Sequence, residues 1–278
     1  MRYFITGARG QLGATLVDML PERSVFAMSL PEYDITDIES IRRAFDGQSV
    51  DVVIHCAAYT DVDGCALDPE TANFVNAIGT KNIANICAEY GAAMVLLSTN
   101  EVFDGSKPYS YTERDIPGAI NPYGKSKLAA ERYTVDILER YYIVRTSWMY
   151  SAGGANFVHT ILDLASQGQD ISVVTDELGA PTYAQDLAFA IIELVDKAPY
   201  GIYHLVNSGH VSRYGFARQV LNLTGYSSLA IKPIRLEEYQ RDSCPPRNGI
   251  LSNWVASSYG IALRPWQTAL GEFLTNVR

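Results

Sequence analysis

The sequence predicts an α/β fold, a doubly wound parallel sheet with helices on both of its faces. Short apolar runs alternate with longer amphipathic runs, mainly before residue 147, and this alternation is typical of parallel strands joined by crossover helices. The early apolar runs are short and hydrophobic throughout, as expected for strands buried on both faces. A glycine-rich segment directly after the first run predicts a tight turn between a strand and a helix.

Each predicted element follows from the length and period of its apolar pattern. The predicted strands are Tyr3–Thr6, Ser24–Met28, Val52–Cys56, Met94–Ser98, Tyr142–Thr146 and Ile171–Val174. The predicted helices are Gln11–Leu20, Asp37–Phe45, Pro69–Tyr90, Tyr123–Glu139, Asn156–Ala165 and Ala184–Asp196. A last helix is predicted from Pro265 through Val277, with proline at its start. After about residue 147 the alternation becomes irregular, so the C-terminal part is predicted to be less regular.

The glycine turn contains Gly7, Gly10 and Gly13, between the strand Tyr3–Thr6 and the helix Gln11–Leu20. Such a turn lets backbone reach a diphosphate, and the free N–H groups and dipole of the new helix favour its negative charge. The spacing is GxxGxxG rather than the GxGxxG of the standard dinucleotide fingerprint. The alternative is a connecting turn without a ligand, but the position directly after the first strand favours nucleotide binding.

Tyr123 and Lys127 are four residues apart at the start of an amphipathic run, so a helix places them on one face. An ammonium beside a phenol favours the phenolate and is expected to lower the tyrosine pKa, which suits proton transfer to a carbonyl oxygen. Thr99 ends the apolar run before this helix, at the strand edge where ligands bind in open α/β sheets. The alternatives are a solvated helix face for the pair and a capping hydroxyl for Thr99.

Composition narrows the class of protein. The chain has 278 residues, of which 47% are hydrophobic and 19% charged, which indicates a globular protein with a sizeable core. The net charge of −9 argues against a general nucleic-acid binder. We expect no membrane span and no signal peptide, and a cytoplasmic location with reduced thiols, because the four cysteines show no C-x-x-C spacing. The histidines form no ligand cluster, so no metal is predicted, and His55 is interpreted as a core residue.

The acid that usually selects NADH is expected about 20 residues after the glycine turn, at the end of the second strand. No acid is present over residues 28–30, which leaves room for a 2′-phosphate that Arg9 could bind. The sequence therefore favours NADPH, with NADH as the alternative. Asp34 comes slightly later, and the residues alone favour the N-cap region before the predicted helix Asp37–Phe45.

Several stretches together resemble the extended short-chain dehydrogenase/reductase family, and within it the dTDP-4-dehydrorhamnose reductases. They cover about the first two thirds of the chain and are residues 7–13, 34–37, 55–63, 98–99 with 102–105, 123–128, 145–148 and 179–182. The resemblance implies a Rossmann-like domain over residues 1–147, with later returns from about 183–200, and a smaller substrate-binding lobe over residues 148–278. It implies reduction of the C4 keto group of dTDP-4-dehydro-L-rhamnose, or of a related dTDP-4-keto-6-deoxy sugar, to dTDP-L-rhamnose. A homodimer is among the assemblies it allows.

The resemblance also implies roles for individual residues. Thr99, Tyr123 and Lys127 would be catalytic. The cofactor would contact the catalytic pair and the residues Gly7, Arg9, Gly10, Gln11, Leu12, Gly13, Asp34, Ile35, Ala57, Ala58 and Tyr59. The nucleotide-sugar would contact Thr60, Val62, Glu101, Trp148 and Arg247. For Trp148 the alternative is a core position, and for Arg247 it is a solvated loop.

The pair Asn100-Glu101 departs from the Asp-Tyr that these reductases usually carry. In nucleotide-sugar 4,6-dehydratases the same place holds Thr-Asp-Glu, an acid and a base. Asn100 cannot supply the proton as that acid would, although Glu101 could still act as a base. Three functions therefore stay open at this level. They are a reductase, an epimerase or dehydratase with bound NAD, and a non-catalytic subunit that binds NADP.

Overall fold

A six-stranded parallel sheet forms the centre of the molecule. The computed structural model describes residues 1–276. In spatial order the sheet contains β10 (Gly201–His204), β5 (Tyr141–Thr146), β4 (Ala93–Thr99), β3 (Val52–His55), β1 (Tyr3–Thr6) and β2 (Val25–Met28). The strand order reverses between β1 and β3, which is where ligands bind in folds of this kind. The predicted α/β class with a doubly wound parallel sheet is confirmed.

Helices connect these strands and cover both faces of the sheet. In the first half of the chain they are α1 (Gln11–Met19), α2 (Ile38–Phe45), α3 (Val62–Leu67), α4 (Pro69–Asn73), α5 (Gly79–Tyr90) and α6 (Pro122–Ile137). In the second half they are α7 (Phe157–Ser166), α8 (Ala184–Lys197), α9 (Arg213–Leu223), α10 (Trp254–Ser258) and α11 (Trp266–Asn276). A π-helical turn, Phe74–Ile78, joins α4 to α5, so the helix predicted over Pro69–Tyr90 exists with an irregular middle.

The strands are hydrophobic throughout because alternate side chains enter two different cores. Ile5, Ile54 and Val95 face one core, which includes residues of α1 and α8. Their chain neighbours Phe4 and Val53 face the other, with residues of α2, α5 and α6. This alternation leaves no face of the sheet for polar side chains, except at the strand ends.

The remaining elements form three two-stranded pairs and a separate aromatic core. The pairs are β6 (Met149–Tyr150) with β9 (Thr182–Tyr183), β7 (Ile171–Val174) with β12 (Ile231–Ile234), and β8 (Leu178–Gly179) with β11 (Val211–Ser212). Phe216, Trp266 and Phe273 are buried in this core. The predicted strand β7 thus exists but lies outside the main sheet, where β10 is found instead.

The predicted two-domain division at residue 147 stays a prediction, although α8 and β10 do return to the main sheet. The final helix begins at Trp266, one residue after the predicted proline, and Val277 lies outside the described residues. Helices α3, α9 and α10 had no sequence prediction. Among residues 1–276, no helix is both long enough and apolar enough to cross a membrane.

Candidate active site

The carboxyl ends of β3, β4 and β5 open into a cavity of about 300 Å³. It brings together nine of the residues predicted from the sequence to form the site: Gln11, Ala58, Thr60, Val62, Thr99, Glu101, Tyr123, Lys127 and Trp148. Cys56, the residue after β3, also lines this cavity. The cavity is concave and mixes polar groups with apolar walls, which is the usual character of a small-molecule site.

Thr99 and Tyr123 face each other across this cavity. Thr99 is the last residue of β4, and its hydroxyl accepts a hydrogen bond from the Glu101 backbone at 3.2 Å. Tyr123 lies in the first turn of α6, which begins after Asn121, whose side chain accepts from the Gly124 N–H at 2.8 Å. The Thr99 hydroxyl lies near enough to the Tyr123 phenol to act on its pKa.

The pKa of Tyr123 is raised above its ordinary value, first by burial and then by the negative charge of Glu101. The Thr99 hydroxyl acts in the opposite direction but is outweighed. The expectation that Lys127 lowers this pKa below its usual value is therefore wrong, because burial and Glu101 dominate. The phenol stays protonated near neutrality, the form that can donate a proton.

Lys127 follows Tyr123 by one helical turn and is buried, with 3% of its surface exposed. Burial lowers its pKa to about 8, while Glu131 and Cys56 act in the opposite direction. His55 is buried between the hydroxyls of Thr6 at 2.7 Å and Thr80 at 3.0 Å. Burial, reinforced by Lys127, lowers the His55 pKa to about 3, so His55 is a neutral core residue.

Gly7 and Gly13 of the glycine turn have no room for a side chain. A Cβ on Gly13 would lie 2.1 Å from the Gly7 carbonyl oxygen. Gly7 has φ +66°, and its Cβ would lie 2.7 Å from the Ala57 nitrogen. Gly10 caps α1 without a side-chain hydrogen bond, so the first turn of this helix presents backbone alone. The Leu12 side chain is buried in the core, so only its backbone could contact a ligand.

A second cavity, of about 370 Å³, lies beside the end of β2 and meets the first at Ala58. Its lining includes Gly7, Arg9, Ser29, Asp34, Ile35 and Ala57. The Arg9 N–H donates to Ser29 Oγ at 3.0 Å, and the exposed Arg9 guanidinium donates to the Leu30 carbonyl at 2.7 Å and Glu32 at 2.8 Å. The place where an NADH-selecting acid would stand is thus occupied by a serine with an arginine beside it.

Asp34 is not the N-cap of α2, because that position belongs to Asp37. The Asp34 carboxylate instead accepts hydrogen bonds from the backbone and hydroxyl of Thr36, both at 2.8 Å. This short turn holds Asp34 and Ile35 at the wall of the second cavity.

Glu101 projects into the first cavity beside Tyr123. Asn121 Nδ2 donates to Glu101 Oε2 at 2.6 Å, and the same amide donates to the Cys244 carbonyl at 3.1 Å. Burial raises the pKa of Glu101. The neighbouring Asn100 is buried instead, with its amide directly against Gly249.

Trp148 forms one wall of the first cavity and is half-buried, which does not fit the alternative of a core tryptophan. It has φ +44°, in the left-handed region. Its ring lies directly against Gly179, while the guanidinium of Arg213 lies 3.8 Å from its centroid. Arg213 is itself held by Glu177 at 2.9 Å. The sequence carried no signal for Arg213, since its helix α9 lies 65 residues further along the chain.

Five predicted site residues are absent from the lining of both cavities: Gly10, Leu12 and Gly13 of the glycine turn, and Tyr59 and Arg247 elsewhere. Arg247 is exposed and lies 3.7 Å from Asp176 and 3.8 Å from Glu237, at a third cavity of about 400 Å³. The backbone of Tyr59 is bonded to the Asn76 side chain, at 2.7 and 3.0 Å. Asn76 lies in the π-helical turn and was missed by the sequence analysis. Within the described chain, no group of three or more metal-ligating side chains is found.

A parallel sheet with a glycine turn at its topological switch point, and a threonine, tyrosine and lysine around one cavity, define an extended short-chain dehydrogenase/reductase. The chain belongs to the family described as RmlD substrate binding domain, whose model matches residues 1–278. The predicted family resemblance is confirmed.

Relatives with similar sequences cover nearly the whole chain. It is 38% identical to the spore coat polysaccharide biosynthesis protein SpsK of Bacillus subtilis, over 98% of this chain and 96% of that protein. It is 37% identical to a dTDP-4-dehydrorhamnose reductase of Mycolicibacterium smegmatis, over 99% of this chain and 86% of that protein. A crystal structure of the dTDP-4-dehydrorhamnose reductase of Bacillus anthracis in complex with NADP is similar with a TM-score of 0.95 and 35% identity, and the match covers 99% of each chain.

Proposed function

We propose that this protein reduces the C4 keto group of dTDP-4-dehydro-L-rhamnose, or of a related dTDP-4-keto-6-deoxy sugar, to dTDP-L-rhamnose or its counterpart, with NADPH as reductant. The observation that carries the proposal is the meeting of Thr99, Tyr123 and Lys127 at a cavity adjoining the glycine turn. The relatives named as dTDP-4-dehydrorhamnose reductases supply the substrate class.

The residues present fit a phosphorylated dinucleotide. The turn from Gly7 to Gly13 has no space for a Cβ at its closest points, which is what close approach of backbone to a diphosphate requires. Arg9 and Ser29 would hold the 2′-phosphate, for which the exposed Arg9 guanidinium would exchange the Glu32 carboxylate that it contacts in this structure. Asp34 and Ile35 would lie beside the adenine, with NADH as the weaker alternative.

NADPH supplies a hydride to the carbonyl carbon when it is bound. The residues of this chain hold the sugar and donate a proton to its carbonyl oxygen. Tyr123 protonates the carbonyl oxygen as negative charge grows there, and Thr99 stabilises that oxygen by hydrogen bonding. The raised pKa of Tyr123 suits this direction, because the donor must be protonated before transfer. Lys127 places a positive charge one turn away and would hold the nicotinamide ribose, beside Ala57, Ala58 and Tyr59.

We further propose that Trp148 and Glu101 contact the sugar. The Trp148 ring is held in place by its contacts with Gly179 and Arg213 and lines the first cavity, so it offers a rigid wall there. Glu101 has Oε2 occupied by Asn121, which leaves its other oxygen to accept from a sugar hydroxyl. Thr60 and Val62 would complete the cavity wall near the sugar. Arg247, at the third cavity, would bind the diphosphate of the nucleotide-sugar.

The other two functions have less support from the geometry. A 4,6-dehydratase needs an acid where this chain has Asn100, whose amide is packed against Gly249. A non-catalytic subunit would not need the adjacent pair of Thr99 and Tyr123. The homodimer and the cytoplasmic location stay predictions.

The test is an assay of NADPH oxidation by the purified protein with dTDP-4-dehydro-L-rhamnose and related keto sugars. We expect one NADPH consumed for each keto group reduced, with dTDP-L-rhamnose identified by chromatography. Sugars carried on UDP or GDP serve as controls for the nucleotide. Isomerisation or dehydration of a nucleotide-sugar without net NADPH consumption would contradict the proposal. Binding of NADPH and dTDP-sugars without any turnover would instead support the non-catalytic subunit.

A further inference from the structure

A buried ion pair lies directly behind the catalytic cavity. Ser98 on β4 and Arg145 on β5 are register partners on adjacent strands. Both side chains reach the same residue of α6, Glu131. Its Oε1 accepts from Ser98 Oγ at 2.5 Å and from Arg145 Nε at 2.9 Å, and its Oε2 accepts from Arg145 Nη2 at 2.6 Å. All three residues are at most 3% exposed, so the Glu131 carboxylate is fixed by two strands of the main sheet.

Glu131 follows Lys127 by one turn of the same helix, as Lys127 follows Tyr123. The three side chains therefore form one row along α6 that leads from the cavity to the ion pair. Among residues 1–276, Lys127 makes no hydrogen bond or ion pair of its own in the structure, although it is buried. A buried ammonium without a nearby anion tends to lose its proton.

The groups that face Lys127 come from two elements. Tyr123 and Glu131 face it from its own helix, and His55 and Cys56 face it from the end of β3. His55 is neutral because its pKa is lowered to about 3, and Cys56 is neutral because burial raises its pKa to about 12. Tyr123 is also uncharged near neutrality. Glu131 is thus the negative charge in this set, and the Arg145 guanidinium from β5, which pairs with it, is the nearby positive charge that opposes its effect.

We propose that Glu131 is a positioning residue that acts through Lys127, since its carboxylate, fixed by Ser98 and Arg145, keeps the buried lysine in its ammonium form. The importance of this for turnover rests on the proposed function, in which Lys127 serves as a cation. The effect on the protonation of Lys127 does not depend on that function.

The size of the effect follows from helix geometry. The Cβ atoms of residues four apart on a helix are about 6 Å apart, and one charge at about that distance with an effective dielectric constant of about 20 shifts a pKa by up to about two units. The Arg145 guanidinium paired with Glu131 offsets part of this shift. Lys127 titrates at about 8 with Glu131 acting to raise its pKa. Glu131→Gln is therefore expected to move this midpoint to about 6 to 7. A cation is lost as pH rises through its pKa, so the alkaline limb of activity moves to lower pH.

The experiment is an NMR titration of the protein labelled with ¹³C at the lysine side chains, with the Lys127 signal identified by its absence in Lys127→Arg. The parent, Glu131→Gln and Glu193→Gln are compared. Glu193 is the matched control, because it forms an exposed pair with Lys197, also one helical turn away. We expect the Lys127 midpoint to fall only in the Glu131 variant. An unchanged midpoint would overturn the proposal.

Glu131→Gln leaves the Arg145 guanidinium buried without a counter-charge, which can prevent folding. The double variant Glu131→Gln with Arg145→Met removes that unpaired cation and serves as the second test. We expect it to keep the low midpoint, because burial, Glu131 and Cys56 are the groups that shift the Lys127 pKa. A return to the parent midpoint in a folded double variant would also overturn the proposal.

The pH dependence of NADPH oxidation is measured on the same variants. A lowered Lys127 midpoint together with a lowered alkaline limb supports both the inference and the catalytic role of Lys127. A lowered midpoint with an unmoved limb keeps the inference and contradicts the role given to Lys127 in the proposed function. The two proposals can therefore fail separately.

Discussion

Replacing Gly13 by alanine tests whether the backbone of the glycine turn binds the cofactor. The new Cβ would lie 2.1 Å from the Gly7 oxygen, 2.7 Å from the Gly7 carbonyl carbon and 2.8 Å from the Ala8 Cα. All three are backbone atoms, so no rotamer change can relieve the contact. Real Cβ atoms essentially never approach closer than 3.0 Å, so the turn must move away from α1 by about 0.9 Å.

A displacement of this size has two expected consequences. Overpacking costs about 1 to 3 kcal/mol of folding free energy. A backbone N–H moved by about 1 Å loses its hydrogen bond to the charged diphosphate, which is worth about 1.5 to 3 kcal/mol, or about ten- to a hundredfold in affinity. We therefore expect the Kd for NADPH, measured by fluorescence titration, to rise by about ten- to a hundredfold, and the Tm to fall.

Gly271→Ala is the matched control for this variant. Gly271 lies inside helix α11, and a Cβ there would meet no atom within 4 Å. Alanine is favoured over glycine in a helix by about 1 kcal/mol, so this variant should be slightly more stable and should bind NADPH as the parent does. A folded Gly13→Ala protein with the parent Kd would refute the assignment of the turn to the cofactor.

Three further predictions follow from the site. Tyr123→Phe should lower kcat for keto-sugar reduction by about 10² to 10⁴-fold while the NADPH Kd stays within about twofold, and near-normal turnover would contradict Tyr123 as the acid. Ser29→Asp places a carboxylate beside Arg9 and should reduce the preference for NADPH over NADH by about tenfold or more in kcat/KM, and an unchanged ratio would show that the 2′-phosphate binds elsewhere. Gly179→Ala puts a Cβ 2.5 Å from the Trp148 ring and should raise the KM for the sugar by about tenfold with an unchanged NADPH Kd, while an equal loss of both affinities would indicate general unfolding.

Much of the central sheet was predictable because its signals are local. Runs such as Tyr3–Thr6 and Val52–His55 are apolar up to their last residue, and this continuous pattern is typical of a strand buried on both faces. The turn at Gly7 was predictable for a similar reason, since its glycines follow the first strand directly. Ligands bind at the carboxyl ends of parallel strands, and this rule alone was enough to predict that Thr99 lies beside Tyr123.

Long-range packing limited the prediction elsewhere. Strand β10 has only four residues and follows β5 after 54 residues that include α7 and α8, so no local pattern marks its place beside β5. The predicted strand β7 has a clear apolar pattern, but this pattern does not say which strand it pairs with. In the structure it pairs with β12, 57 residues further along the chain.

By itself the sequence determined the order of the first strands and helices, the glycine turn and the one-turn spacing of Tyr123, Lys127 and Glu131. These depend on residue type and on periods of two or 3.6 residues, which a single chain segment carries within itself. Only the tertiary structure decided that Arg213 holds Trp148, that Arg145 binds Glu131, and that the Tyr123 pKa is raised. Those properties depend on burial and on charges from distant segments, and burial exists only once the segments have packed together.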